Sequence, residues 1–503
     1  MHAAGARRND GAPAPRLRRD PRARMDNRIE TLYPMAAEQA DAALQFETIA
    51  LGSPPDLLAV ARAGGGRNLV YFESPARGFA VLGLGAALEF VASGPERFAI
   101  LSRAARGALG RLGVHGRASQ APLALGGFGF FDRRAADPAW REFPPARMLV
   151  PSILWVKRRA RGAFLTLVFK DRRERAALLR RAARLTKVAA VLGAAPAPAP
   201  LADPALARQA LQSANGAAHR SLVDRAAALG NPAAGIEEAE RARWRARVNA
   251  VLKLIDDGEV AKVVLARKKT RAFSAPLEPA AVLARARDYR SACLSFWIAG
   301  AKTSFIGSTP ELLIRLRAGR FVCGAMAGSA ARGAAPAADR AQARALLASA
   351  KDAHEHRLVV AAITTALRPV ARELSIADRP AVRVFPETFH LFTPISGALA
   401  RPLSALELAG MLHPTPAVCG VPTARARAIL AAQEADRGWY AGSVGWMDAR
   451  GDGEFAVALR SALVERRRVV GWAGAGIVAG SDPDAEFAET EDKLGALFAG
   501  LRS

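Results

Sequence analysis

WAGAGIVAGSDPDAEFAETEDK, residues 472–493, is the stretch on which the reading of this chain turns. An apolar, strand-like segment, Val469 to Ala473, ends in Gly474 and Gly476, and a loop follows. A helix then begins. Asp482 suits the N-cap, Pro483 the first helical position, and Asp484 falls in the first turn. On that helix Glu486 and Glu489 are three apart and Lys493 lies four beyond, so all three share one face. On an isolated helix such a face is ordinarily solvated surface.

A second face of the same kind weakens that plain reading. In KDAHEHRLVV, Asp352 and Glu355 are again three apart, and Ser349 with Asp352 reads as a capping box. Two helices that each offer two carboxylates can share one hard cation such as Mg²⁺. Magnesium takes oxygen ligands and keeps positions for water and substrate oxygens. The ligand is then expected to be an acid.

Working outward, strand runs lie beside helix runs without a regular βαβ alternation, which predicts an α+β fold. Asn68–Glu73, a pair within Gly78–Phe90, and Leu123–Phe131 read as strands, and Leu149–Trp155 with Ala163–Phe169 as a hairpin. Residues 193–204, GAAPAPAPLADP, are a Pro/Ala linker between two halves. Beyond it Trp244, Val248, Leu252 and Ile255 form one helical stripe that Asp256-Asp257-Gly258 ends, and Lys262 opens the strand KVVLAR. Cys293–Ile298, Thr303–Gly307, Glu311–Arg317 and Arg320–Met326 are joined by short turns, which predicts an antiparallel meander. The chain therefore divides into a basic tail (1–38), the N-terminal part of the fold (39–192), the linker and start of the second half (193–235) and the body of the second half (236–503). The tail is Pro-, Ala- and Arg-rich and is expected to lack packed structure. A chain begun at Met35 is expected to keep full activity.

The 503 residues carry a formal net charge of +26, of which the first 28 residues, with eight Arg and three Asp, hold +5. A basic chain suits nucleic acid, an acidic membrane or an anionic metabolite. No nucleic-acid motif accompanies the charge, and a nucleic-acid binder would leave the two acidic helix faces unexplained. Three cysteines without a CxxC exclude a disulfide framework or zinc knuckle and fit a reducing, cytoplasmic setting. No apolar run reaches the roughly 20 residues of a membrane span.

Three familiar motifs fail on spacing. His354-Glu355-His356 lacks the second histidine of HExxH, because that position is Leu358. After Gly474 and Gly476 the next glycine, Gly480, falls one place beyond the dinucleotide spacing. The phosphate loop GxxxxGK[ST] is absent.

Nine segments then carry a resemblance, in this order: KVVLAR (262–267), FIGSTPELL (305–313), AGSAARG (327–333), KDAHEH (351–356), HLFTPISG (390–397), LHPTPAVCGVP (412–422), DRGWYAGSVGWMD (436–448), FAVALRSALV (455–464) and AGAGIVAGSDPDAEFAETEDK (473–493). Together they cover nearly all of residues 240–500, which resemble the chorismate-utilising enzymes. That family includes isochorismate, salicylate, anthranilate and aminodeoxychorismate synthases. The resemblance implies the anthranilate synthase-like α+β fold, with two facing antiparallel sheets flanked by helices. It implies chorismate as substrate and Mg²⁺ as cofactor. Lys262 stands where water-using members carry lysine, and Ala417 where isochorismate synthases carry alanine and pyruvate-eliminating members tend to carry threonine. The subtype implied is therefore isochorismate synthesis, with salicylate synthesis or amination as the alternatives.

By the same resemblance Lys262 is the base that activates water and Glu311 the acid that protonates the departing hydroxyl. Each is in the wrong state at neutral pH when free, so the fold has to shift both. Glu355 and Glu489 are implied as direct Mg²⁺ ligands, with Glu486 and Asp352 acting through water. Arg460 and Tyr440 are implied to hold the enolpyruvyl carboxylate, and Lys493 to add charge near the substrate's carboxylate. Gly474 and Gly476 admit the backbone close to substrate; Gly328, Ser329 and His390 line the ring pocket. Cys419 is expected to be a packing variant. A monomer is expected, working beside an isochorismate-consuming enzyme.

Overall fold

The computed structural model describes residues 44–116, 120–194, 232–290, 292–333, 335–386, 388–434 and 436–499. The expected tail, residues 1–38, and all but the ends of the expected 193–235 linker lie outside them. Among the described residues the strands form a twelve-stranded and a ten-stranded sheet. Both are antiparallel, except that Gln45–Leu51 pairs in parallel with Gly113–Val114.

The two halves of the chain are woven into both sheets. Leu69–Ser74 pairs with Leu294–Ala299, with Phe72 opposite Phe296. Ala124–Phe128 pairs with Ser443–Met447, with Gly126 opposite Gly445. One apolar core joins the sheets, and a second lies on the outer face of the larger sheet under helices Leu57–Gly64, Arg172–Ala194 and Pro279–Tyr289. In the first core Phe305, from the larger sheet, meets Trp140 at 5.2 Å and Trp439 at 6.3 Å between ring centres. Edge-to-face contacts of this kind stabilise by about 0.5–1.5 kcal/mol each beyond area burial. Among the described residues no helix is long and apolar enough to cross a membrane.

Three expectations need correction. The meander is broken. Leu294–Ala299 and Ser304–Thr309 pair in the larger sheet, whereas Leu312–Arg317 and Arg320–Ala331 belong to the smaller one. Pro310 cannot donate to a ladder, so the chain leaves one sheet there and enters the other. Leu149–Trp155 is likewise two strands, Ala146–Val150 and Ile153–Arg158, in different sheets; the hairpin is made by Ile153–Arg158 with Gly162–Phe169. The apolar segment at 469 does not end at its glycines. It runs from Arg468 to Ile477 and pairs with Lys262–Ala272 along its length. Gly474 and Gly476 are therefore strand residues, which removes the turn that a dinucleotide loop requires.

Candidate active site

The chain changes sheets at two neighbouring places, and the site lies where it does. The first crossing is Pro310-Glu311. The second is Ala458-Leu459-Arg460, between Gly453–Val457 in the smaller sheet and Ser461–Glu465 in the larger. The two are tied together: Val457 N–H donates to the Glu311 carbonyl at 3.0 Å and Ser308 N–H to the Arg460 carbonyl at 3.2 Å. Arg460 has φ +48°, a left-handed conformation that costs a non-glycine residue on the order of 1–3 kcal/mol and persists only where its surroundings hold it.

A cavity of about 250 Å³ opens at these crossings. Glu311, Gly328, Ser329, Asp352, Glu355, His390, Ala417, Tyr440, Arg460, Gly474, Gly476, Glu486, Glu489 and Lys493 all line it. Lys262 does not. Its side chain is fully buried behind Glu355, with Nζ 2.8 Å from Glu355 Oε1. That contact is an ion pair without hydrogen-bond alignment, since Nζ has no hydrogen-bond partner. Glu355 thus stands between Lys262 and the cavity. Gly476 explains how the two fit: a Cβ there would lie 2.7 Å from Glu355 Oε1 and 3.0 Å from Lys262 Cε.

Glu311 is buried, and burial pushes its carboxyl up to about 7, against the lowering effect of the Lys262 ammonium and the Thr415 hydroxyl. A carboxylic acid about half protonated at neutral pH can give a proton.

The acidic helices, Ala350–Leu367 and Pro483–Ala499, face this cavity. Asp482 caps the second by accepting from Ala485 N–H at 2.8 Å. Ser349 caps the first, accepting from Asp352 N–H at 3.2 Å, but the return arm goes from the Ser349 hydroxyl to the Asp352 carboxylate. The capping box is thus only half formed. Each acidic group has a partner. Glu489 meets Lys493 at 2.9 Å and accepts from the Ser329 hydroxyl at 2.6 Å. Burial pushes Glu489 up, but Lys493 and Ser329 outweigh it and hold it below the usual carboxylate range. Glu486 is raised, first by burial and then by the Glu489 charge, although Lys351 meets it at 2.9 Å. Two carboxylates that repel each other in a buried wall suit a cation. Among the described residues no three acidic, histidine or cysteine side chains form a ready-made cage. Two carboxylates, with water and ligand oxygens in the other positions, are what Mg²⁺ usually takes. The oxygen donors here fit that ion.

The rest of the polar lining is basic or neutral. His390 is held neutral at about 3 by burial and by the Arg460 and Lys493 charges. The Tyr440 hydroxyl is raised to about 12 by burial, so it stays a donor. The tyrosine ring stacks on Trp472 at 6.2 Å. The HEH triplet splits: His354 points outward and His356 is buried, its ring nitrogens 3.3 Å from the Ala327 carbonyl and 2.8 Å from the Thr393 hydroxyl. Cys419 is buried and its thiol raised to about 12 by burial, the state of an inert packing residue.

Sequence reasoning missed Lys351 and Arg437, which also line the cavity. Arg437 sits in the DRG before Tyr440 and forms a buried ion pair with Glu434 at 2.6 Å. It donates to the Val418 carbonyl at 2.8 Å and to the Val264 carbonyl, tying the Lys262 strand to the Ala417 loop. Arg437→Ala leaves Glu434 buried without this partner and is expected to cost about 3–5 kcal/mol in denaturant unfolding. A loss under about 1 kcal/mol, the range of exposed pairs, would show that the pair holds nothing together.

A family model described as "Chorismate binding enzyme" matches residues 36–502. The chain is 35% identical over 433 residues to a Pseudomonas aeruginosa protein named "Salicylate biosynthesis isochorismate synthase", spanning 86% of this chain and 84% of that one. It is 39% identical over 259 residues to "Isochorismate synthase DhbC" of Bacillus subtilis, spanning 50% of this chain and 65% of that one. Its fold matches MenF, the menaquinone-specific isochorismate synthase from Escherichia coli, with a TM-score of 0.67 at 24% identity, over 92% of this chain and 95% of that one. It also matches anthranilate synthase component I from Streptococcus pneumoniae, with a TM-score of 0.59 at 19% identity, over 84% and 92%.

Proposed function

Because the chain belongs to the chorismate-binding enzyme family, we propose that it is an isochorismate synthase, isomerising chorismate by adding water at C2 and expelling the C4 hydroxyl. The observation that carries the mechanism is the pairing, at one acid-lined cavity, of a buried lysine with a glutamic acid that burial raises to about 7.

Lys262 takes a proton from water as its oxygen bonds to C2. The ring double bond shifts, the C4–O bond breaks, and Glu311 gives its proton to the departing oxygen, which leaves as water. Proton transfer back from Lys262 to Glu311 through solvent restores both groups. Glu355 governs the first half of this sequence. Paired with Lys262 it stands between the lysine and the cavity, so it would have to turn aside for the lysine to reach the water. Glu355 and Glu489 would hold Mg²⁺ directly, with Glu486 and Asp352 acting through water. The ion, when bound, would neutralise the ring carboxylate. Arg460 and Tyr440 hold the enolpyruvyl carboxylate, a two-pronged donor beside a single hydroxyl. Neutral His390 faces the ring without adding charge.

Incubation of the chain with chorismate and Mg²⁺, with products separated by chromatography, tests this reading. Isochorismate should accumulate. Salicylate and pyruvate in equal amounts would reassign the chain as a salicylate synthase, and an ammonia-dependent product as an aminating enzyme. The small side chain of Ala417 at the cavity wall favours the first outcome. The product would serve salicylate, dihydroxybenzoate or menaquinone synthesis in the cytoplasm.

The proton on Glu311 sets an alkaline limb. Its acid form is present below about 7 and is lost as pH rises through that value, so kcat should fall on that side. Glu311→Gln should remove the limb from what activity remains. A pH–rate profile in which the variant keeps the wild-type alkaline limb would assign it to another group.

A further inference from the structure

A larger cavity, of about 710 Å³, lies apart from the catalytic one and shares no lining residue with it. Its size is that of a small-molecule pocket. Six arginines and three carboxylates line it, and the carboxylates are already taken. Glu454 accepts from Arg77 at 2.7 and 2.6 Å and from Arg315 at 2.6 Å. Asp448 and Asp452 hold their own turn: Asp448 accepts from Arg450 and Asp452 N–H groups at 2.9 and 3.0 Å, and Asp452 from Ala318 N–H at 2.8 Å.

Arg158, Arg161 and Arg317 remain. Among the described residues none of the three has an ion pair or a side-chain hydrogen bond, although this chain pairs many of its arginines. The Arg158 guanidinium lies over the Trp446 and Phe79 rings, 5.3 and 5.8 Å from their centres, and its Nε is buried without a hydrogen-bond partner. The rings can cover the face of the guanidinium but cannot accept its in-plane N–H groups as an oxyanion does. Burial, followed by the Arg161 and Arg317 charges, lowers Arg158 from its ordinary value. The Asp448 and Glu454 charges oppose that lowering only in part, and both carboxylates are bonded elsewhere. Three like charges converging without an ion-pair contact of their own, one of them with an unmet buried donor, are an arrangement that an anion would stabilise.

We propose that this cavity is a second, non-catalytic ligand site that takes a small, multiply charged oxyanion on Arg158, Arg161 and Arg317. A polycarboxylate and a polyphosphate share that chemistry.

Calorimetric titration of the full chain with inorganic pyrophosphate, and separately with citrate, in metal-free buffer tests the proposal. At least one should bind saturably. Arg161→Ala/Arg317→Ala should weaken that binding by roughly tenfold or more, as expected for the loss of charge-assisted pairs. Both positions are exposed, so the variant should melt as the wild type does and turn chorismate over at the wild-type rate without added anion. Arg460→Ala, in the catalytic cavity, should bind the anion as the wild type does. Which ligand binds separates the two sources. Failure of both to bind saturably, or binding that survives in the double variant, overturns the site, as does binding that Arg460→Ala abolishes.

Discussion

Lys262→Ala and Glu311→Gln should each lower kcat by ~10²–10⁴-fold or more, the range of a positioned base or acid. Chorismate should still bind, because Arg460 and Tyr440, which are proposed to hold a carboxylate, are left in place. The double variant should be little worse than the worse single one, since the two groups serve one displacement. Arg460→Ala should differ, losing binding as well as turnover. The cavity geometry adds a condition for Lys262. Its removal also frees Glu355 from its ion pair, so the variant's thermal stability has to be measured beside its kinetics. If the Lys262→Ala protein is folded and turns over like the wild type, or binds no chorismate, the lysine is not the base.

The second large effect concerns the acidic wall. Glu355→Gln and Glu489→Gln should each abolish Mg²⁺-dependent turnover while leaving the fold intact, because both side chains face the cavity rather than the core. Direct titration of Mg²⁺ into each variant should show weakened binding, a readout independent of catalysis. Asp352→Asn should have a smaller effect, since Asp352 already accepts from the Ser349 hydroxyl and would act through water. Wild-type activity of both glutamate variants at limiting Mg²⁺ would remove the metal from this wall.

The two effects meet at Glu355. It contacts Lys262 and is also the residue proposed to ligate the ion. Glu355→Gln should therefore change two readouts, the thermal stability to which its Lys262 ion pair contributes and the Mg²⁺ affinity. A change in one without the other would separate the two roles.

Much of this was legible in the chain itself. The i, i+3 spacing of Asp352 with Glu355 and of Glu486 with Glu489 fixes two acidic faces, because helix periodicity is local. The Asp482-Pro483 helix start is equally local and appears as read. The nine motifs identified the family, and with it the fold class and the substrate. What went wrong was also local in origin. Glycines at 474 and 476 suggested a turn, but their small size serves a close approach: Gly476 makes room for Lys262 and Glu355, which lie more than ninety residues away. The turn at Pro310 looked like one more hairpin, and nothing in short-range pattern says that a chain is leaving one sheet for another.

Tertiary structure alone decided the electrical state of the site. Sequence names Glu311 as an acid, but only burial at the sheet crossing raises it to about 7. Sequence places Lys262 at the head of a strand, but only the fold sets Glu355 between it and the cavity. Arg437 looked like one residue of a motif, and the fold makes it the tie between the Lys262 strand and the Ala417 loop. The physical reason is the same in each case. Residue type and periodicity are properties of neighbours along the chain, whereas desolvation and Coulomb interaction depend on distances between segments that the chain brings together only when both sheets close around one core.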